Sequence, residues 1–144
     1  MRDEGSAVVE FIVVGVLILV PMVYLVQCAT AVHAAALASS QAVREAGRAF
    51  STSVDEISGR ARAAAAARLA FADQGLHLAP AALRVTCPDG PCLSPGSIIE
   101  VNLDWLVPLP GLPATWTGQG RLSIPMSAAQ RIPVDDFRGD PAMP

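Results

Sequence analysis

The feature that most constrains this chain is a run of apolar residues from Phe11 to Val26, most of them Val, Leu and Ile. The wider segment from Ala7 to Val32 holds few polar residues: Glu10, Gln27 and Thr30. At a rise of 1.5 Å per residue, this segment reaches about 39 Å, which exceeds a hydrocarbon core of about 30 Å. A helix buried in a soluble domain would keep a polar stripe toward solvent, and this run has none. The pattern predicts one transmembrane helix over residues 6–32.

Length and composition limit what the remainder of the chain can form. At 144 residues the chain has room for one globular domain beside the membrane segment. A hydrophobic content of 52% with only 16% charged residues is too apolar for a disordered protein. All ten basic residues are Arg, and the net charge of -3 provides no basic face for phosphates. We therefore expect membrane lipid, and no nucleic acid, among the partners.

The N-terminal segment has three possible interpretations: a removable secretory signal, a lipoprotein signal and a retained anchor. A secretory signal begins with a positive region, whereas here Arg2 is followed by Asp3 and Glu4. The apolar run is also longer than the usual 7 to 15 residues of such signals. A lipid-modified cysteine normally follows a small residue, but Cys28 follows Gln27. We interpret the segment as a retained anchor and Cys28 as a small buried hydrophobe, with lipid modification as the minor alternative.

Glu10 lies directly before the apolar run, where an ionised carboxylate is costly and is treated as functional by default. The simpler alternative is that Glu10 lies among the lipid headgroups, at a helix N-terminus that favours negative charge. Its context is the sequence Gly-Ser-Ala-Val-Val-Glu-Phe, from Gly5 to Phe11. Cleavage after Gly5 would make Ser6 the first residue and Glu10 the fifth. That spacing is the processing signature of type IV pilin-like subunits.

At this segment the chain resembles the TadE-like family, the minor pilin-like subunits of tight-adherence (Flp-type) pilus systems. The hallmark of that family is a short polar leader, a Gly-Ser-Ala-x-x-Glu-Phe stretch and a long apolar helix. Weaker similarities lie in the segments 42–49 and 134–139. The resemblance implies a pseudopilin-like subunit cleaved after Gly5 by a prepilin peptidase, with Ser6, Glu10 and Phe11 completing the processing site. It also implies other pilin-like subunits and the Tad assembly machinery as partners, with a role in pilus assembly, adhesion or secretion.

Physical reasoning supplies a role for such processing. Cleavage would create a new amino group on Ser6, which could pair with Glu10 of a neighbouring helix and set the register between subunits. The short N-terminus is expected in the cytoplasm and the C-terminal domain outside the membrane, at the cell surface or in the pilus after assembly.

Beyond the membrane, the Ala-rich sequence predicts that the first helix continues to about Phe50. Ser53 and Glu56 form a capping box that opens a second helix, which runs to about Gln74 before Gly75. Helical spacing predicts an apolar face made of Val54, Ile57, Ala61, Ala64, Ala65, Leu69 and Ala72. The Arg residues of this helix are interpreted as a solvated face, with a lipid-headgroup patch as the alternative.

From Ala82 onward the composition favours strands, predicted over 83–87, 97–103 and 121–132, the last interrupted by Pro125. The predicted fold is α+β and pilin-like: a transmembrane helix extending into a helical region, followed by a small antiparallel sheet. The expected organisation is a polar leader (1–5), the transmembrane helix (6–32), an Ala-rich helical region (33–74), a β region (75–134) and a loose tail (135–144).

Cys87 and Cys92 flank a Pro-Asp-Gly turn, which can bring their Cα atoms within disulfide range. We predict a disulfide between them and a free Cys28. A zinc site lacks ligands, because His77 is the nearest histidine and a structural zinc needs four. The sequence contains no nucleophile elbow, phosphate-binding loop or zinc-protease motif, so we expect no enzymatic activity, metal or cofactor.

An alternative function is a permanently anchored extracytoplasmic binding module without enzymatic activity. Its contact surface would be formed by Trp105, Trp116 and the Pro-rich loop between the last two strands. Exposed aromatic side chains would favour this alternative, and packed ones would not.

Overall fold

The computed structural model describes residues 4–88, 90–110 and 123–137, with side chains from residue 7 onward. Two α-helices, α1 (Glu4–Ser51) and α2 (Glu56–Ala72), come first. A 3-10 turn at Pro80–Ala82 leads into three strands: β1 (Leu83–Thr86), β2 (Ile98–Pro108) and β3 (Ser123–Pro133). The predicted α+β class is confirmed, with a long apolar helix, a second helix and a small antiparallel sheet.

Helix α1 is continuous for 48 residues and contains Pro21 without interruption. From Ala7 to Ala34 no side chain is buried; burial begins at Ala35. The helix is long and apolar enough to cross a membrane, and its most apolar stretch is not covered by the rest of the chain. The helix therefore has two parts: an uncovered apolar half, and a half from Ala35 to Ser51 that belongs to the folded domain.

The predicted capping box of α2 is wrong. Ser53 is buried, and its hydroxyl donates to the carbonyl of Ala49 at 2.6 Å, one turn back in α1. The N-cap is Asp55, whose carboxylate accepts the backbone N–H of Ser58 at 2.9 Å and the Ser58 hydroxyl at 2.8 Å. These bonds, the backbone one foremost, hold the pKa of Asp55 below its ordinary value. Gly75 follows the helix with a φ of 68°, as a C-terminal stop requires.

The predicted apolar face of α2 is also wrong. Val54, Ile57 and Leu69 are exposed by 87%, 85% and 64%. The buried residues are instead Gly59, Ala63, Ala67, Ala70 and Phe71. The Ala residues and Phe71 form one hydrophobic cluster with the α1 residues Ala38, Ala42, Val43, Ala46 and Phe50. The reason is steric: small side chains let two helix backbones approach closely, so the Ala-rich faces pack together with Phe50 and Phe71, while Val54, Ile57 and Leu69 remain outside.

The sheet has the order β1-β2-β3, and both pairs are antiparallel. The strand predicted over 97–103 is present within β2, where the buried residues Ile99, Val101 and Leu103 alternate with more exposed ones. Strand β2 is longer than predicted, extending to Pro108, because β3 pairs along its whole length. Pro125 lies within β3 opposite Leu106; a proline is tolerated there because β3 is an edge strand.

The helices cover one face of the sheet. Trp105 of β2 and Met126 of β3 meet Ser39 of α1, while Ile132 of β3 packs against Gly47. A Cβ atom on Gly47 would overlap the Ile132 side chain, so the glycine permits this close approach. The contacts fix the direction of the sheet relative to α1.

Candidate functional site

The predicted processing segment lies in the first turns of α1. Gly5 and Ser6 belong to the helix backbone, and Glu10 and Phe11 follow one turn later with exposed side chains. Within the described residues, the ion pairs join Arg48 to Glu45, Arg60 to Glu56 and Arg131 to Glu100; none involves Glu10. The Glu10 carboxylate is thus open to a partner that approaches from outside this part of the chain.

The uncovered half of α1 presents apolar side chains on all sides. Phe11 is exposed by 79%, Leu17 by 71% and Leu25 by 67%, and the Val and Ile residues between them by about half or more. Soluble monomers rarely expose contiguous apolar patches of more than a few hundred Å². A surface of this kind requires either lipid or other apolar helices around it.

The predicted disulfide between Cys87 and Cys92 is present, with the Cα atoms 5.1 Å apart, and Cys28 is free. The turn is fixed to α2 by Glu56, whose carboxylate accepts the backbone N–H of Cys92 at 3.2 Å. The Ser97 hydroxyl donates to the carbonyl of Cys92 at 3.0 Å. The disulfide turn is therefore tied to both the helical hairpin and the start of β2.

Arg60 is a second link between α2 and the sheet, although its side chain is exposed, as predicted for the Arg residues of this helix. Its Nη1 donates to the carbonyl of Val85 in β1 at 2.9 Å. The guanidinium lies 6.0 Å from the centroid of the Phe50 ring, and it lies 3.8 Å from Glu56. Because the ion pair is about half exposed, the hydrogen bond to Val85 has the clearer structural role.

Trp105, predicted as part of a contact surface, is partly buried and packs against the helices. Its ring meets the Phe71 ring edge to face, with centroids 4.7 Å apart. Its Nε1 donates to the Ser39 hydroxyl at 2.9 Å, and that hydroxyl donates to the carbonyl of Ala35 at 2.8 Å. This packing does not favour the binding-module alternative. Trp116 lies outside the described residues.

Sequence reasoning missed the contact between Ser39 and Trp105, because the residues are 66 positions apart and no local pattern joins them. The one feature of the sequence that points to this contact is a serine within an Ala-rich helical run, because a buried hydroxyl requires a hydrogen-bond partner. The bond fixes the end of β2 to α1 just above the uncovered half of the helix.

The histidines do not come together. His33 is exposed on α1, whereas His77 lines an open groove of about 400 Å³ beside Ala79, Trp105 and Leu106. In the described ranges no three His, Cys, Asp or Glu side chains are grouped so as to hold a metal ion.

The fold and these contacts define a class of molecule: a membrane-length apolar helix that continues into a small α+β domain. No family model, curated protein or solved structure matches the chain.

Proposed function

We propose that the chain is a TadE-like, membrane-anchored minor pilin-like subunit, processed after Gly5 by a prepilin peptidase and acting in pilus assembly or adhesion. The observation that carries the proposal is the uncovered apolar half of α1, in which Glu10 is the one acidic residue from Ala7 to Ala34. The role is structural: the helix mediates assembly with neighbouring subunits, and the α+β domain is the part that the assembled subunit displays.

The assembly step follows from electrostatics at the edge of hydrocarbon. Cleavage after Gly5 exposes an amino group on Ser6, and this cation on one helix pairs with Glu10 of a neighbour. A charge near hydrocarbon is unfavourable unless it is paired, so the pair selects one register between adjacent helices. Before cleavage the amino group is absent from that position, and proteolysis therefore acts as the assembly switch.

The proposed topology places the short N-terminus in the cytoplasm and the α+β domain outside. The bond between Cys87 and Cys92 supports this orientation, because disulfides persist in oxidising, extracytoplasmic compartments and are rare in the cytosol. Other pilin-like subunits and the Tad machinery would then meet the helix in the membrane and the domain beyond it.

Two measurements test the proposal in the native host. Mass spectrometry of the purified chain should show Ser6 as the first residue. Glu10→Gln keeps the size of the side chain and removes its charge, so it should permit insertion and cleavage but prevent recovery of the chain in sheared surface material. Glu45→Gln, an exposed carboxylate of the same helix within the folded domain, is the matched control and should assemble normally.

Retention of residues 1–5, or cleavage beyond Ala29, would refute the processing step. Assembly of Glu10→Gln at wild-type level, with matched expression, would show that the carboxylate lies passively among the headgroups. That result would leave the anchored binding module as the better account.

A further inference from the structure

The direction of the sheet along α1 determines which end of the domain faces the uncovered half of the helix. Val101 and Ile132 pack near Gly47, whereas Trp105 and Met126 lie at Ser39. Moving from Val101 to Trp105 along β2 therefore means moving toward the N-terminus of α1. The end of the β2–β3 hairpin, at Pro108 paired with Ser123, points toward the uncovered apolar half.

The distance between this hairpin end and the apolar half is short. Pro108 is three positions beyond Trp105, and at about 3.3 Å per residue it lies about 10 Å further along the strand. The strands are inclined to α1, so this corresponds to about 6–9 Å along the helix axis, or roughly four to six residues at 1.5 Å each. Measured from Ser39, the hairpin end lies level with residues 33–35, where burial of α1 begins.

A bilayer around α1 would have its headgroup layer at the same level. About 20 helical residues cross the hydrocarbon core, and counted from Phe11 they end near Thr30. The headgroup layer adds about 5–7 Å, or roughly four residues, on each side. The layer therefore covers about residues 31–34 of α1, which overlaps the level of the end of the hairpin at residues 33–35.

The surface of the hairpin changes character as it approaches this level. Along the outer face of β2, Glu100, Asn102 and Asp104 are polar, and the next two outward residues are Leu106 and Pro108. Leu106 is exposed by 62%. On the partner strand Ile124 is exposed by 40%; because it pairs with the buried Val107, it lies on the other face of the sheet from Leu106. Two exposed apolar side chains, one on each face of the sheet, thus lie at the end of the hairpin, at the level of α1 where burial begins; Ile98, exposed by 38%, lies at the opposite end of β2.

We propose that the end of the β2–β3 hairpin is a lipid-contact surface, with Leu106 and Ile124 inserted into the headgroup layer around α1. The domain then contacts the membrane at two places, the helix and the hairpin. These two contacts fix its orientation relative to the bilayer. The inference rests on the membrane insertion of α1 in the proposed function, but on neither the cleavage nor the pairing of Glu10.

The test uses the full chain in phosphatidylcholine vesicles that contain a lipid spin-labelled near the top of its acyl chain. In a Cys28→Ala background with the disulfide intact, an environment-sensitive fluorophore is attached at Leu106→Cys or Ile124→Cys. Ile98→Cys is the matched control, since Ile98 is an exposed apolar residue on the same strand and face as Leu106, about 26 Å away. Leu19→Cys reports insertion of the helix itself.

We expect the Leu106 and Ile124 probes to shift their emission to the blue and to lose most of their fluorescence to the lipid spin label. The Ile98 probe should do neither. If the Leu19 probe is quenched but the Leu106 probe behaves like Ile98, the lipid contact is refuted and the membrane anchor stands.

Two other outcomes also overturn the inference. In the first, the Leu106 probe is shielded from aqueous iodide but is not quenched by the lipid spin label, and the shielding disappears as the protein is diluted in lipid. That result would identify a second copy of the chain as the occupant. An unquenched Leu19 probe would refute the anchor, and the hairpin contact with it.

Discussion

Replacement of Ala67 by Leu should strongly destabilise the domain, although both residues are good helix formers. Ala67 has no exposed surface and lies in the cluster formed by the small side chains of α1 and α2. An isobutyl group in place of a methyl has no free space at a position that is fully buried between two helices. Overpacking costs about 1–3 kcal/mol, and we expect the upper end here because the helices themselves must separate. At about 4 °C per kcal/mol for a folded unit near 100 residues, the Tm should fall by about 12 °C.

Ala65→Leu is the matched control, because it makes the same change two residues earlier in the same helix. Ala65 is exposed, so its replacement should change the free energy of unfolding by less than about 0.5 kcal/mol. Thermal unfolding in detergent micelles, followed by near-ultraviolet circular dichroism, measures both variants. The helical spacing of apolar residues alone predicts the reverse order, with Ala65 buried. If Ala65→Leu is the more damaging change, the helix packing described above is incorrect.

Three further predictions concern the contacts around the sheet and the cap of α2. Ser39→Ala removes the acceptor of the Trp105 indole N–H, and should lower the free energy of unfolding by about 1–3 kcal/mol and shift the tryptophan emission; an unchanged Tm would contradict the bond. Replacing Cys87 and Cys92 together by Ser should lower the free energy of unfolding by roughly 2 kcal/mol in the chain-entropy model, as measured by denaturant unfolding. Alkylation of the wild type without reductant should label only Cys28. Because the folded-state pKa of Asp55 is lowered, its contribution to stability is present above the unfolded-state pKa of about 3.9 and is lost as the pH falls through the folded-state value. The free energy of unfolding of Asp55→Asn should therefore fall less steeply with decreasing pH than that of the wild type. The same steepness in both proteins would refute the role of the Asp55 carboxylate as the helix cap.

Local chemistry determined much of this protein directly. The apolar run from Phe11 to Val26 predicts a helix of membrane length whatever surrounds it, because its side chains leave no polar stripe. The alternation from Ile98 to Leu103 predicts a strand with one buried face, and the Pro-Asp-Gly turn predicts the pairing of Cys87 with Cys92. Each of these signals lies within a few residues, and the structure contains all three features.

Only the tertiary structure decided which face of α2 is buried and where Trp105 lies. Hydrophobicity favours burying Val54, Ile57 and Leu69, but close packing of two helices favours Gly59 and Ala67, and the second effect prevailed. The choice depends on the shape of α1, which is Ala-rich along the matching face and distant in sequence. The position of the hairpin beside the end of the apolar helix depends in the same way on contacts of Ser39 and Gly47 with strands more than fifty residues away. Such contacts are set by the complementarity of surfaces that meet only in the folded chain, and no local pattern encodes them.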